Sequence, residues 1–202
     1  MRRYPIVLFW FLFAVPLLTQ AQSDYAPGHF GIKAGPALTR TSVSGITPNI
    51  PKNKIDYQFG AMYQLRLNRF VLQPEVLYAV KGGTFQVIRL GSTNRETTRN
   101  NYNYVSVPLL IGWIPTPGII LQAGPEFSYA LNTPRTNGPG SRNDLGIVVG
   151  AHYDFLDMLE KFSLQVRYIH GLNDVSGNPL ATFRNQALQA SIVYNFYRMK
   201  KK

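Results

Sequence analysis

The sequence predicts an all-β protein: a closed antiparallel up-and-down transmembrane β-barrel of about eight strands, preceded by a cleaved signal peptide. Residues 1–21 have the layout of a secretory signal. Residues 22–202 alternate between apolar and polar side chains, which is the period of a β-strand and not of a helix. Charged residues are only 15% of the chain and aromatic residues are 13%, a composition typical of a surface that meets lipid.

The N-terminal segment carries the three parts of a signal peptide. Arg2 and Arg3 form a positive start, and Ile6 to Leu18 is an apolar run. Thr19-Gln20-Ala21 then places small residues, Thr19 and Ala21, at the −3 and −1 positions of the cleavage site. The apolar run is short of the roughly 20 residues that a membrane-spanning helix needs. We therefore expect cleavage before Gln22 and a single mature domain over residues 22–202.

Eight segments of the mature chain place apolar residues on one parity and polar or small residues on the other. In residues 55–67, for example, Tyr57, Phe59 and Ala61 alternate with Gln58 and Gly60. An even number of such strands closes an up-and-down barrel without a free edge. The segments are 30–35, 55–67, 70–81, 104–113, 119–129, 144–155, 162–170 and 187–196.

The segments between these strands alternate in length. Long polar segments are expected at about 39–54, 82–101, 131–143 and 173–185, and short turns separate the other pairs. A barrel in the outer membrane has long extracellular loops and short periplasmic turns. Both termini therefore lie on the periplasmic side in this prediction.

Alternation alone does not say which face lies inside, because a soluble lipocalin-like barrel has the same pattern turned inside out. The polar face here is rich in Gly and Gln, which suits a crowded lumen, and aromatic residues lie near the ends of the apolar face. The last strand ends in Tyr194-Asn195-Phe196, like the C-terminal signal of membrane barrels. Pro74, Pro108 and Pro125 fall inside predicted strands, where bulges or lumen water must accommodate the missing N–H groups.

The formal net charge is +11, and removal of Arg2 and Arg3 leaves 11 − 2 = +9 on the mature chain. The basic residues are scattered over the chain, except for the three lysines at its end, so we do not expect nucleic-acid binding. The anionic glycolipid of the outer leaflet is the more natural partner. The absence of cysteine excludes disulfides and thiolate metal sites.

Several strings of the sequence resemble the PorT-like outer-membrane β-barrel proteins. They are Phe30-Gly31-Ile32-Lys33-Ala34-Gly35, Leu72-Gln73-Pro74-Glu75-Val76-Leu77-Tyr78, Val105-Ser106-Val107-Pro108-Leu109-Leu110 and Arg167-Tyr168-Ile169-His170-Gly171-Leu172-Asn173. The resemblance implies an eight-stranded barrel in the outer membrane of a Gram-negative envelope, without a cofactor. The namesake of the family is linked to secretion and maturation of exported proteins, but the shared residues look architectural.

The polar face predicts a charge network inside the barrel. Charged groups of both signs share this face, and buried charges need partners. An eight-stranded barrel is filled by its side chains, so we expect a structural network and not a catalytic or channel-lining one. Its members are Lys33, Arg66, Glu75, Glu126 and Arg167.

We expect no catalytic, cofactor or metal site. His152 and Asp154 share a parity, but a metal site needs at least three converging ligands. Serines on the polar face leave a lipid-modifying hydrolase open as an alternative, although no nucleophile-elbow string is present.

The long loops are the predicted functional surface, because basic residues there would attract the anionic sugars and phosphates of the outer leaflet. The sequence thus predicts a non-enzymatic, monomeric barrel that is structural or adhesive. An accessory subunit of an outer-membrane secretion or maturation complex is the alternative, and a solute pore is the weakest one. The candidate loop residues are Arg40, Lys52, Lys54, Arg89, Arg95, Arg99, Arg135 and Arg142.

Overall fold

The computed structural model of the chain describes residues 28–45, 49–88, 95–133, 139–155, 159, 161–176 and 181–196. All regular structure in these residues is β-strand. The strands are β1 (Gly28–Gly45), β2 (Asn49–Lys52), β3 (Lys54–Leu67), β4 (Phe70–Ile88), β5 (Arg95–Thr116), β6 (Ile119–Ala130), β7 (Asn143–Asp154), β8 (Phe162–Gly171) and β9 (Ala181–Phe196).

Eight of these strands form a closed ring. The order is β4-β3-β1-β9-β8-β7-β6-β5, and β5 pairs again with β4. Every neighbouring pair in the ring is antiparallel. The short strand β2 adds to the far end of β4, where Lys52 pairs with Thr84. The predicted barrel of about eight strands is confirmed.

The apolar parity of each strand points outward and the polar parity points into the lumen. Phe30 and Ile32 on β1 are 65% and 51% exposed, whereas Lys33 is 3% exposed. On β9, Leu188 and Ile192 are exposed and Gln189 is buried. A soluble barrel would bury the apolar face instead, so these burials exclude the lipocalin-like alternative.

The two ends of the barrel differ in their connections. Two-residue turns at Asn68-Arg69 and Pro117-Gly118 lie at the end that also holds the start of β1 and the end of β9. At the other end, β1 continues to Gly45 and β9 begins at Ala181. Since short turns face the periplasm, this second end is extracellular.

The long strands correct the predicted loops. Segments 39–54 and 82–101 were expected to be loops, but β1, β2, β4 and β5 occupy most of both. With 19 and 22 residues, β4 and β5 are about twice as long as the 9–11 residues that cross a membrane. The extra length forms a sheet outside the membrane, where polar residues alternate with few apolar ones and the sequence pattern is therefore weak.

The extracellular part of the sheet reverses its amphipathic pattern. On β4, Glu75 and Lys81 point inward in the lower half, but Phe85 points inward above them. Gly82 marks the reversal with a φ of 118°, and a Cβ there would lie 2.4 Å from the carbonyl oxygen of Asn100. Glycine is required at this close approach.

The three strand prolines are accommodated without a change of register. Paired positions resume across Pro74 on β4 and across Pro108 and Pro125 on β5 and β6 with the same alignment on either side. The missing N–H groups therefore interrupt individual pairs only. The register shift that does occur in these two ladders lies between Trp113 and Thr116. Within the described residues, no helix is long and apolar enough to cross a membrane.

Candidate functional site

The centre of the lumen is a buried network that joins opposite walls. The Nζ atom of Lys33 donates to Glu75 Oε2 at 2.6 Å and to Gln165 Oε1 at 2.7 Å. Arg167 donates to the same Glu75 oxygen at 2.8 Å and to Gln58 and Gln189 through its other nitrogens. These bonds connect β1, β3, β4, β8 and β9, so the residues brace strands that are not neighbours.

A second group lies beside this network. Lys81 donates to Glu126 Oε1 at 2.7 Å and to Ser128 Oγ at 2.9 Å. The other carboxylate oxygen of Glu126 is 3.9 Å from Arg167 and has no hydrogen-bond partner. Lys81 is not among the residues predicted from the sequence for the network. Its parity on β4, the same as that of Glu75, was the signal for its inclusion.

Amide side chains extend the central network to β6. Gln122 on β6 donates to Gln73 on β4 at 2.7 Å, and Gln165 on β8 donates to Gln122 at 2.8 Å. Gln73 in turn donates to Glu75 at 2.7 Å. The lumen at this level is therefore occupied by bonded side chains from both halves of the ring.

Arg66 does not join the central network, contrary to the prediction that grouped it with Glu75 and Glu126. It pairs with Asp154 at 2.5 Å, near the periplasmic end. Asp154 also accepts from Ser163 at 2.7 Å and lies 3.1 Å from His152 Nε2. The reason is the position of Arg66 along the barrel axis, because it lies eight positions beyond Gln58 on β3. The sequence does not reveal which residues lie at the same level on opposite sides of the lumen.

The extracellular mouth is filled by apolar side chains. Phe85, Tyr102, Tyr104 and Phe183 cluster here with Ala130 and Ala181, and Val175 joins them from the segment between β8 and β9. Val175 is 1% exposed, and its N–H donates to the carbonyl of Phe183 at 2.9 Å. Val175 thus adds to the apolar filling of the mouth from outside the strands.

Asp174 anchors this segment. Its carboxylate accepts from the backbone N–H groups of Phe183 at 2.8 Å and Ser176 at 2.9 Å. Burial alone would raise the pKa of Asp174, but these hydrogen bonds and the charge of Arg184 outweigh it and hold the pKa below its ordinary value.

The outer surface of the extracellular end is basic. Among the described side chains at this end, the exposed charges are five cations and one carboxylate, Asp174. Lys52, Thr84 and Arg99 pair across β2, β4 and β5 and so form one row of the extracellular sheet. The five cations, here called the basic rim, are Arg40, Lys52, Arg99, Arg142 and Arg184.

The predicted loop residues divide into three groups. Arg40, Lys52 and Arg99 are exposed as expected but lie on strands, and Arg142 is exposed between β6 and β7. Lys54 was predicted on the loop surface, and this is wrong: it begins β3, is 8% exposed and pairs with Asp56 at 2.9 Å. Its parity, shared with Gln58, directs it inward. Arg89, Arg135 and the side chain of Arg95 lie outside the described residues.

The His, Asp and Ser side chains near the periplasmic end do not form a nucleophile–base pair. Ser163 donates to Asp154 and not to His152, and both hydrogen bonds converge on the same carboxylate oxygen. A hydrolytic triad needs the serine bonded to the histidine and the histidine bonded to the acid. In the described part of the chain, no group of three or more His, Asp or Glu side chains is arranged to hold a metal ion.

Comparison with solved structures finds other membrane barrels. The attachment invasion locus protein Ail of Yersinia pestis, solved in complex with the heparin analogue sucrose octasulfate, is 15% identical, and the alignment covers 84% of this chain and 100% of Ail with a TM-score of 0.45. Neisserial surface protein A is 14% identical over 83% of this chain and 97% of that protein, with a TM-score of 0.42. The toluene transporter TodX of Pseudomonas putida is 13% identical over 86% of this chain and 46% of its own, with a TM-score of 0.33. No curated protein sequence matches significantly.

The family is established by sequence. The profile of the outer membrane protein beta-barrel domain matches residues 20–177, which is more than half of the chain and includes β1 to β8. A closed antiparallel ring with an apolar exterior is the architecture expected of an outer-membrane β-barrel. The chain belongs to the outer membrane protein beta-barrel domain family and is a protein of the bacterial outer membrane.

Proposed function

We propose that this protein is a non-enzymatic, non-conducting barrel that acts by adhesion, binding anionic surface molecules at its basic rim. One contrast carries the proposal: the charges of the lumen are bonded to one another across the barrel, whereas the charges of the rim are exposed to solvent. The lumen charges are buried and engaged with one another, so they are not accessible to a ligand at the cell surface. The exposed cations, from Arg40 to Arg184, are accessible to such a ligand.

The filled lumen argues against transport. A solute would have to break the bonds of Lys33 and Arg167 to Glu75 and then pass the apolar cluster around Phe85. Breaking one buried pair costs about 3–5 kcal/mol. In planar bilayers we expect the purified barrel to show no open-channel current, and a steady conductance would contradict this part of the proposal.

The favoured ligand is the phosphorylated sugar of outer-leaflet glycolipid. One guanidinium group can bind two phosphate oxygens at once. The rim offers such groups at Arg40, Arg99 and Arg142, among others. Outer-leaflet glycolipid surrounds any barrel in this membrane, and its phosphorylated sugars extend outward on the side where the rim lies. The rim would thereby fix the protein in the glycolipid layer and link it to neighbouring anionic surfaces.

The test is binding of purified lipopolysaccharide to the barrel in nanodiscs. The triple variant Lys52→Gln, Arg99→Gln, Arg142→Gln should bind about a hundredfold more weakly, because each cation near an anionic surface contributes about 1 kcal/mol. The control is Arg69→Gln with Lys161→Gln, two exposed cations of the periplasmic end. Equal affinity of both variants, or equal binding of dephosphorylated lipopolysaccharide, would contradict the assignment.

The resemblance to PorT-like proteins supports a second candidate, an accessory barrel of a secretion or maturation complex. It is favoured by one observation: residues 95–103 of β5 are paired with β4 but extend beyond the last pair with β6, at Tyr104 and Ala130, and this edge offers a surface to a protein partner. Export through a signal peptide cleaved before Gln22 also remains a prediction, and N-terminal sequencing of the mature protein would test it.

A further inference from the structure

The extracellular sheet has an edge that the ring does not close. β5 remains paired with β4 as far as Arg95 and Ile88, but its pairing with β6 begins only at Tyr104 and Ala130. Residues 95–103 of β5 therefore extend beyond the end of β6. This stretch is roughly 30 Å long at the rise of a β-strand.

Hydrogen bonds to Asn103 and Asn101, at the end of the edge nearest β6, show which way the backbone groups of the edge point. The carbonyl of Asn103 accepts from the N–H of Leu131 at 2.8 Å, and its own N–H donates to Asn132 Oδ1 at 3.0 Å. The Nδ2 group of Asn132 donates to the carbonyl of Asn101 at 2.6 Å. The backbone groups of Asn101 and Asn103 thus point away from β4.

Alternate residues of an antiparallel strand direct their N–H and C=O groups to the same side. Arg99 and Thr97 must therefore present their backbone groups along the same edge as Asn101. Within the described residues, no hydrogen bond reaches these groups. An unpaired row of this kind is a template for another strand.

The side chains along the edge identify the kind of strand that fits. Thr97, Thr98, Arg99 and Asn101 are exposed, so the partner finds a polar surface without an apolar groove. Arg142 flanks the place where β6 would have continued, because its carbonyl accepts from the N–H of Ala130, the last residue of β6, at 2.7 Å. An incoming strand would lie between two cations, Arg99 and Arg142.

We propose that the β5 edge, residues 95–101, binds an extended acidic segment of another protein by strand addition. Backbone hydrogen bonds to Thr97 and Arg99 would supply affinity, and Asp or Glu side chains beside Arg99 and Arg142 would supply specificity. A second copy of this chain is the less favourable occupant, since pairing two β5 edges would bring their arginines together. Arg99 and Arg142 belong both to this edge and to the basic rim, but the backbone hydrogen bonds of Thr97 and Arg99 are a feature of strand addition that glycolipid binding does not need.

The probe is a fluorescent eight-residue peptide that alternates Glu and Thr, titrated onto the full barrel in nanodiscs. Thr97→Pro removes one edge N–H and should weaken binding about tenfold. Thr97→Ala keeps the backbone donor and should bind within about twofold of the native protein. Arg99→Glu should also weaken binding, and a peptide with Lys in place of Glu should not bind.

Two further arms keep the test decisive. An N-methylated copy of the acidic peptide has the same charge without the donors, so it should fail to bind the native barrel even if Thr97→Pro does not fold. Equal binding of the methylated peptide would mean that charge alone acts and would overturn the proposal. Dimerisation of the barrel that Thr97→Pro abolishes, without peptide binding, would assign the edge to a second copy and would also overturn it.

Lipopolysaccharide distinguishes the two proposals. A phosphorylated glycan held by side-chain charge should bind Thr97→Pro as well as the native protein. Loss of peptide binding with retained lipopolysaccharide binding would support strand addition and leave the rim proposal intact. Loss of both in a correctly folded Thr97→Pro barrel would mean that the substitution also disturbs the basic rim, and it would overturn the assignment of peptide binding to the backbone of the edge.

Discussion

The membrane-spanning half of the barrel and its extracellular extension use the same strands with opposite amphipathic patterns. Within the membrane, β9 directs Leu188 and Ile192 outward and Gln189 inward. Above it, the same strand directs Arg184 outward and Phe183 inward. The solvent outside the wall changes from lipid to water, and the stabilising interaction changes from cross-lumen hydrogen bonds to apolar burial.

This comparison explains why the two halves support different functions. The lower lumen is held by charges that must remain paired, because an unpaired buried charge is costly. The upper sheet is held by a small apolar cluster around Phe85 and Val175, and among the described residues β6 does not cover the β5 edge beyond Tyr104. Rigidity therefore belongs to the membrane half, and binding surface belongs to the extension.

The largest effect should come from breaking the central network. Glu75→Gln removes the carboxylate that Lys33 and Arg167 share, and we expect a loss of about 3–5 kcal/mol in the free energy of unfolding. Equilibrium urea unfolding in lipid vesicles would measure it. The matched control is Glu126→Gln, which should cost less because one oxygen of Glu126 has no hydrogen-bond partner. Equal losses would contradict the central position of Glu75.

The second largest loss of folding free energy should come from placing a charge on the lipid-facing wall. Val107 is 44% exposed on the outer face near the middle of the membrane part of β5, and Val107→Arg should cost about 2–4 kcal/mol of folding free energy there. Thr97→Arg places the same side chain on the same strand in the extension and should cost almost nothing. A comparison of folding yields in vesicles measures both. If the extension were equally intolerant, the membrane boundary would lie higher than we infer.

The same division between the membrane half and the extension separates what the sequence predicts correctly from what it does not. The period-two pattern was strong wherever lipid demanded an apolar outer face, so eight strands and their faces were predicted. In the extension, Thr84, Gln86 and Thr97 occupy the outer face, and the pattern resembles that of a polar loop. That resemblance is why segments 39–54 and 82–101 were assigned to loops and Lys54 to the surface.

The composition of the lumen network could be predicted only in part. Parity shows that Lys33, Glu75 and Arg167 share the inner face, and continuing that parity would have included Lys81. It does not show which residues meet across the barrel, because that depends on the stagger of the whole ring. The pairing of Arg66 with Asp154 instead of Glu75 is the consequence.

A smaller, local effect should follow from changing the mouth. Val175→Ala removes two methyl groups from the apolar cluster, about 1.5 kcal/mol of burial. The loss should appear as faster amide exchange in Val175 and Phe183, while exchange in the lower strands stays unchanged. Val166→Ala on the lipid-facing side of β8 is the control and should leave the mouth protected. Faster exchange throughout the barrel would mean that the mouth and the membrane half form one cooperative unit.

The smallest effect should be the pH dependence of the hydrogen bonds by which Asp174 anchors the segment that contains Val175. Burial tends to raise the pKa of Asp174, but hydrogen bonds from Phe183 and Ser176 lower it below the ordinary value of 3.8. A carboxyl group whose pKa is lower in the folded state stabilises that state above the ordinary value, and the contribution is lost as the pH falls through the folded-state value. The anchor should therefore hold at neutral pH and weaken below about pH 4.

Amide exchange of Phe183 and Ser176, compared between pH 6 and pH 3 after correction for intrinsic rates, would detect this weakening. Asp174→Asn keeps the size of the side chain and should give protection that does not change with pH. Because Asp174 is exposed, solvent screens its interactions and the change should be modest. Val148, buried lower in the barrel, should show no change. Equal pH dependence at Val148 would mean that acid acts on the whole barrel, and the separation between a rigid membrane half and an adjustable mouth would fail.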